Sequence, residues 1–287
     1  MGSGLQVISA DPPEWSSIAV GRVATRLLQA GPHQASEAVV FVHGNPGSAG
    51  DWVRPVGEVG DLRRAVAFDL PDFGQTVAGP DFGHTINEYT EFLDQALDTL
   101  GISRPLFVLH DLGGFFGLRW AAANADRVAG VVLIDTGILP DYRWHRWARV
   151  WQTRGLGELS QAVTTRAMFR RHFSKAGSGR LPPEFVDEMY ENFDRRTKAA
   201  VLDVYRDSKS IAGDAAILAP ILAPADLPAL VVWGAGDPYL GSEYAELQKE
   251  AFPSAEVHVL PDSGHWPFID DPVTFSRLLV DFLRSVE

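Results

Sequence analysis

Three polar residues, Asp111, Asp237 and His265, each follow an apolar run and could together form a catalytic site. A carboxylate can attack a saturated carbon to form an ester, a histidine can activate water, and a second carboxylate can orient that histidine. Each residue also has an ordinary structural explanation: Asp111 could cap a helix, Asp237 could sit in a turn, and His265 could be a loop residue. Their order along the chain and their shared position after predicted strands favour the catalytic interpretation.

The segment around Asp111 has the pattern of a sharp turn from a strand into a helix. Residues 104–110 are mostly apolar, and Asp111 is followed by Leu112-Gly113-Gly114 and a renewed apolar run. This pattern predicts a buried strand followed directly by a helix. In the Gly-x-Ser-x-Gly form of the turn, the residue at the tip is a nucleophilic serine. An aspartate at the tip cannot do serine chemistry, but it can attack a saturated carbon.

Composition excludes several classes of protein. The 287 residues carry a formal net charge of −12, which argues against a nucleic-acid-binding protein. There is no cysteine, so disulfides, thiolate metal sites and cysteine nucleophiles are excluded. No apolar run reaches about 18 residues, and the N-terminus lacks a charged region followed by an apolar one. We therefore expect a cytoplasmic protein with no membrane segment, no metal and no cofactor, whose partners are a small molecule and water.

Apolar runs alternate with a helical pattern over the first part of the chain. We predict strands at residues 22–28, 38–42, 65–68, 104–110 and 128–134, the first of them an antiparallel edge strand. A helical stripe of apolar residues runs from Tyr89 to Leu100. The alternation predicts an α/β fold with a mostly parallel sheet and helices on both faces. Active sites on such sheets lie beyond the carboxyl ends of the strands, where Asp111 falls.

The alternation stops between about residues 138 and 218, where aromatic residues and short helical patterns replace strands. This stretch is too long for a plain loop, so we predict an inserted helical cap. Strands resume at residues 229–233 and 256–260, and a closing helix follows with Phe275, Leu279 and Phe282 on one face. The predicted domains are therefore a core of residues 1–137 and 219–287 and a cap of residues 138–218.

The motifs of this chain resemble those of α/β-hydrolases in the group of haloalkane dehalogenases, epoxide hydrolases and fluoroacetate dehalogenases. The segments that carry the resemblance are His43-Gly44-Asn45-Pro46, residues 69–74, residues 110–114, Gly236-Asp237 and residues 264–267. The resemblance implies an α/β-hydrolase fold and a two-step mechanism. Asp111 would displace a halide or open an epoxide to form an ester, and His265, oriented by Asp237, would activate the water that cleaves it.

The resemblance also implies roles for further residues. The backbone N–H groups of Asn45 and Leu112 would form the oxyanion hole. Asp135 is a second candidate acid, because some haloalkane dehalogenases carry their acid after the equivalent strand; a structural aspartate at the junction with the cap is the favoured interpretation. The predicted substrate pocket comprises His43, His110, Trp144, Trp147, Trp151 and Trp266.

The leaving group distinguishes the subfamilies, and the sequence departs from each pattern. Haloalkane dehalogenases usually hold the halide with an asparagine, present here as Asn45, and with a tryptophan after the nucleophile, where this chain has Leu112. Fluoroacetate dehalogenases place an arginine at that position, so this resemblance is the weakest. Epoxide hydrolases usually have an aromatic residue in place of Asn45.

Epoxide hydrolases donate protons to the opening oxygen from tyrosines of the cap. Residues 202–207 resemble the region that carries one of these tyrosines, which would be Tyr205. The second tyrosine is not where it is expected, and Tyr142, Tyr190 or an indole N–H could replace it. We predict an epoxide hydrolase for a bulky apolar epoxide. The alternatives are a haloalkane dehalogenase and a hydrolase fold that only binds a small molecule.

Overall fold

The computed structural model describes residues 12–173 and 181–286. We expected the N-terminus to lack a charged region followed by an apolar one. This expectation concerns residues that lie partly outside the described range. Eight strands form one sheet: β1 Glu14–Val20, β2 Val23–Ala30, β3 Glu37–Val42, β4 Ala65–Phe68, β5 Arg104–His110, β6 Gly130–Ile134, β7 Ala229–Gly234 and β8 Glu256–Leu260. The helices of the described residues are α1 Val53–Gly60, α2 Ile86–Leu100, α3 Leu112–Ala123, α4 Arg146–Gln152, α5 Leu156–Val163, α6 Arg166–Phe173, α7 Pro183–Asn192, α8 Arg195–Asp207, α9 Ile211–Leu222, α10 Glu243–Leu247, α11 Pro267–Asp270 and α12 Pro272–Ser285.

The sheet has the strand order β1-β2-β4-β3-β5-β6-β7-β8. In this order, all neighbouring strands from β4 to β8 pair in parallel. The strand β2 pairs antiparallel with β4 on one side and with β1 on the other. The strands β6 and β7 are buried along their whole length, as expected for a parallel sheet covered by helices on both faces. This is the predicted α/β fold with a mostly parallel sheet.

One prediction about the sheet is wrong. The predicted edge strand at residues 22–28 is β2, and it does pair antiparallel with β4, but β1 pairs with its outer side and forms the edge. Most of β1 is exposed, so it lacks the buried alternation from which a strand can be recognised in a sequence.

The helices begin and end at recognisable signals. Thr85 and Glu88 form a capping box at the start of α2, and Gly101 at its end has a φ of +65°, which glycine adopts without strain. The apolar stripe predicted for α2 and that predicted for α12 both face the core. Among the described residues, no helix is long and apolar enough to cross a membrane.

Between β6 and β7 the chain forms the helices α4 to α9 and no strand among the described residues. The predicted boundary at residue 218 falls inside α9, which ends at Leu222 and packs against α3 of the core. The division into a core and a cap therefore stays a prediction.

Candidate active site

Asp111 lies at the tip of the turn between β5 and α3. Its φ of +48° and ψ of −122° are strained for a residue with a side chain. The turn is held by the Thr136 hydroxyl, which donates a hydrogen bond of 2.7 Å to the Asp111 carbonyl oxygen. It also requires Gly113, because a Cβ there would lie 2.4 Å from the carbonyl oxygen of Val42. The strain is thus maintained by contacts on both sides of the turn.

The two carboxylate oxygens of Asp111 have different surroundings. Oδ1 accepts the backbone N–H of Asn45 at 2.7 Å, and Oδ2 lies 3.5 Å from Nε2 of His265. Burial alone would raise the pKa of this carboxyl group, but the His265 hydrogen bond and charge, together with the Asn45 N–H, hold it below the ordinary value. Leu112 is the first residue of α3, so its N–H has no acceptor within the helix. A negative charge is therefore favoured at the predicted nucleophile.

His265 is oriented by Asp237, as the sequence predicts. Its Nδ1 lies 2.7 Å from Oδ2 of Asp237, while Oδ1 of Asp237 accepts the backbone N–H groups of Tyr239 and Leu240 at 2.7 and 3.1 Å. Burial would lower the pKa of His265, but the charges of Asp237 and Asp111 outweigh it and raise the pKa well above its ordinary value. Asp111 and Asp237, the two other predicted triad residues, therefore both contact His265, one at each ring nitrogen.

Two of the predicted pocket residues have a supporting position instead. His43 is fully buried, and its ring accepts the Leu70 N–H at Nε2 and donates to the Gly44 carbonyl oxygen from Nδ1. His110 donates from Nε2 to the carbonyl oxygen of His265 at 2.7 Å. Burial lowers the pKa of His43 to about 4 and that of His110 to about 3, so both rings are neutral at pH 7. They hold the loops that carry Asn45 and His265.

A cavity of about 170 Å³ lies between the loop after β3, the helices α4 to α6 and the residue that follows α7. Asn45 and Pro46 form its inner end, and Trp147 and Trp151 are the predicted pocket residues in its wall. The rest of the wall is mostly apolar: Val163, Met168, Phe169, Phe173 and Phe193, with Ser160, Gln161, Thr164 and His172 as the polar members. Such a lining suits an apolar molecule with one polar end.

Tyr205 of α8 is buried next to the inner end of this cavity. Burial and the Asp111 charge raise the pKa of its hydroxyl group well above the ordinary value, against a hydrogen bond from the Asn45 side chain. The Tyr205 ring packs between Trp144 and Trp151, with centroid distances of 5.1 and 5.0 Å. The phenol is therefore protonated, its ring is held between two indoles, and its hydroxyl group lies near the Asn45 side chain.

Two of the other predicted donors, Tyr142 and Trp144, already donate hydrogen bonds elsewhere. The Tyr142 hydroxyl donates to the carbonyl oxygen of Tyr239 at 3.2 Å, and the Trp144 indole donates to that of Ser208 at 2.9 Å. Tyr190 packs on Phe169 at the outer part of the cap. Trp266 is fully buried, its ring lies 4.8 Å from that of His265, and its Nε1 has no hydrogen-bond partner within residues 12–173 and 181–286.

Sequence reasoning missed three residues near the site. The Tyr239 ring stands edge-on to His265 at 5.0 Å, and its hydroxyl is hydrogen-bonded to Nε2 of His172. His145 contacts both Tyr205 and Tyr239, and it caps α4 by accepting the Ala148 N–H at 3.3 Å. Of these three residues, only Tyr239 could have been found from the sequence, because it lies two positions after Asp237. His145 and His172 are isolated histidines and belong to no motif.

The fold and the site define a hydrolase of the α/β class. A family model described as the alpha/beta hydrolase fold matches residues 37–272, and the chain belongs to this family.

Relatives within the family differ in their chemistry. A cis-3-alkyl-4-alkyloxetan-2-one decarboxylase of Xanthomonas campestris pv. campestris is 28% identical over 273 residues, covering 86% of this chain and 88% of that enzyme. A haloalkane dehalogenase of Mycolicibacterium smegmatis is 38% identical over 109 residues, but these cover only 36% of this chain and 35% of that enzyme. The solved structure of epoxide hydrolase A from Mycobacterium thermoresistibile shares the fold, with a TM-score of 0.82, 24% identity, and coverage of 96% and 99% of the two chains.

Proposed function

We propose that this protein is an epoxide hydrolase for bulky apolar epoxides, with Asp111 as the nucleophile. The observation that carries the proposal is the buried Tyr205 hydroxyl beside Asn45 and Asp111. A protonated phenol next to a carboxylate nucleophile supplies the proton that a strained C–O bond needs when it opens. The mostly apolar cavity that ends at Asn45 supports an apolar substrate.

In the first step, Oδ2 of Asp111 attacks a ring carbon of the epoxide and a C–O bond breaks. The electron pair goes to the ring oxygen, which takes a proton from Tyr205. Oδ1 is held by the Asn45 N–H at 2.7 Å, so Oδ2 is the oxygen free to attack. The product is an ester between Asp111 and the opened substrate.

In the second step, His265 removes a proton from water, which attacks the carbonyl carbon of the ester. Ester formation removes the Asp111 charge, which is one cause of the raised pKa of His265, so the histidine becomes available as a base. The backbone N–H groups of Asn45 and Leu112 stabilise the resulting oxyanion. Collapse of this intermediate passes its hydroxyl proton to the departing oxygen, which releases the diol and restores the carboxylate. The proton on His265 then returns through solvent to the Tyr205 phenolate, so that the phenol is restored.

A haloalkane dehalogenase is the second candidate. The carboxamide of Asn45 borders the same cavity as Trp147 and Trp151, whose indole N–H groups could replace the donor missing at Leu112. The test of the proposed function should also include an oxetan-2-one as a third class of electrophile. One relative that spans 86% of this chain is named for oxetan-2-ones, whose strained ring also opens with an oxygen leaving group.

The experiment uses His265→Gln to stop the second step and mass spectrometry of the intact protein to detect the ester. The variant is incubated with an aryl epoxide, a long-chain epoxide, a 1-haloalkane and a cis-3-alkyl-4-alkyloxetan-2-one. We expect an adduct of the full epoxide mass on the peptide that contains Asp111. A haloalkane adduct would instead have the substrate mass minus hydrogen halide.

The matched control is the double variant Asp111→Asn with His265→Gln, which should form no adduct. An adduct from the haloalkane and none from either epoxide would replace our proposal by the second candidate. Binding of these compounds without any adduct would identify a hydrolase fold that only binds a small molecule.

A further inference from the structure

Asp135 brings a second buried carboxyl group to the catalytic histidine. It follows β6, is completely buried, and has a φ of +44°, a conformation that costs energy for an aspartate. Its Oδ1 accepts the Gly234 N–H at 3.0 Å, and carboxylate or imidazole atoms of Asp135, Asp237 and His265 all lie within 4.8 Å of one another. The strained backbone is thus maintained at a position that points a carboxyl group at the orienting acid.

The hydrogen bonds of this cluster are incomplete if every carboxyl group is ionised. Oδ2 of Asp135 is buried and has no donor among the described residues. The group beside it is the carboxyl of Asp237, whose side chain is also fully buried and which is already bound to His265. Two buried carboxylates cannot satisfy each other, whereas one proton between them gives each a partner.

We propose that Asp135 is a positioning residue that shares one proton with Asp237, so that the pair presents a single negative charge to His265. The arrangement follows from the general rule that two carboxyl groups in one buried site do not both ionise. Burial and the Asp237 charge raise the pKa of Asp135 well above its ordinary value, which agrees with this assignment. The effect on catalysis rests on the proposed function, but the shared proton does not.

The shared proton matters because His265 must lose a proton before it can act as a base. Two full negative charges beside the ring would keep it permanently protonated, and the second step would stop. A hydrogen bond from Asp135 draws charge from Asp237 and leaves the histidine oriented but titratable. The other titratable groups that surround His265 and Asp237 come from β5, the turn after it, the start of α4 and the loop after β7: His110, Asp111, His145 and Tyr239.

The test compares Asp135→Asn with Asp135→Leu in single-turnover hydrolysis of the ester across pH. The amide introduced by Asp135→Asn can still donate a hydrogen bond to Asp237, so the midpoint of the acid limb should stay within about half a pH unit of the wild type. Leucine removes the donor, which concentrates the charge on Asp237 and should move the midpoint to higher pH. Thermal unfolding of each variant checks that it is folded.

An ionised Asp135 would give a different result: Asp135→Asn would remove a whole charge and lower the midpoint by more than about one pH unit. That result overturns the proposal. Unchanged midpoints in both variants would also overturn it, because they would mean that Asp135 has a purely structural role. If Asp135→Leu does not fold, the smaller Asp135→Ala replaces it as the variant without a donor.

Infrared spectroscopy gives a readout that does not need a substrate. The wild type should show the C=O stretch of a buried protonated carboxyl group that is missing from Asp135→Asn at neutral pH. An identical spectrum for both proteins contradicts the shared proton even if the enzyme proves active on epoxides. Conversely, the band can be present while the proposed function fails, so the two failures are distinguishable.

Discussion

The backbone N–H of Asn45 lies 2.7 Å from Oδ1 of Asp111, although 66 positions separate the two residues in the chain. The donor belongs to the backbone, so changes to the Asn45 side chain leave it in place. The Asn45 carboxamide, by contrast, faces the Tyr205 hydroxyl. In the proposed mechanism one residue would thus serve the ester carbonyl through its backbone and the leaving group through its side chain, and mutation can separate these roles.

Tyr205→Phe should affect epoxide turnover more than Asn45→Ala does. Loss of a donor aimed at developing charge typically costs roughly 3–4 kcal/mol, so we expect kcat/KM for the epoxide to fall by about 100-fold or more in Tyr205→Phe. Asn45→Ala keeps the backbone donor and should lose about tenfold. Tyr190→Phe is the matched control, because Tyr190 packs on Phe169 and Arg166 and should tolerate the change. The reverse ranking of the first two variants would favour a halide leaving group.

A single turnover in ¹⁸O-water should place the label in the protein and not in the product. The product takes its new oxygen from Asp111, while the attacking water contributes an oxygen to the carboxylate. Mass spectrometry of the peptide that contains Asp111 measures the label. Label in the product from the first turnover would mean that water attacks the substrate directly.

Thr136→Val should weaken both stability and catalysis. The Thr136 hydroxyl donates to the carbonyl oxygen of Asp111 at 2.7 Å and holds a backbone with a φ of +48°. Removing this buried donor should lower the free energy of unfolding by about 1–2 kcal/mol. Displacement of the carboxylate should lower kcat by about tenfold.

Thr136→Ser keeps the hydroxyl group and is the control for the lost hydrogen bond. Urea unfolding and steady-state kinetics on the same preparations make the comparison. A valine variant as active as the wild type would show that the turn holds its shape without this bond.

His145→Asn should make the protein less sensitive to acid. Burial, the largest cause, lowers the pKa of His145 to about 4 in the folded protein, against about 6.5 when unfolded. The unfolded chain therefore binds a proton that the folded one does not, and the free energy of unfolding falls as the pH drops from about 6.5 to about 4.

At pH 5 this linkage amounts to about 2 kcal/mol, and asparagine removes it while remaining a good N-cap for α4. The measurement is urea unfolding of both proteins at pH 7 and pH 5. Between these pH values, the free energy of unfolding should fall by about 2 kcal/mol less in the variant than in the wild type. Equal losses would mean that His145 is protonated in the folded protein.

Much of the fold and of the site was open to prediction because the signals are local. An apolar run that ends in Asp111 and two glycines specifies a strand, a turn and a helix within a few residues. The proximity of Asp111, Asp237 and His265 then follows from the rule that the carboxyl ends of parallel strands meet at one edge of the sheet. The exposed strand β1 escaped prediction because a solvated edge carries little hydrophobic pattern.

The sequence by itself determined the class of fold and the presence of helices between β6 and β7, and it singled out Asp111, Asp237 and His265 as candidate site residues. Only the tertiary structure decided which polar groups share the buried site: Asp135 reaches Gly234, the last residue of β7, across 99 positions, and Tyr205 reaches Asn45 from the insertion. The reason is physical. Periodicity reports which face of an element is buried, whereas the protonation and pairing of a buried group depend on neighbours that folding brings from distant parts of the chain.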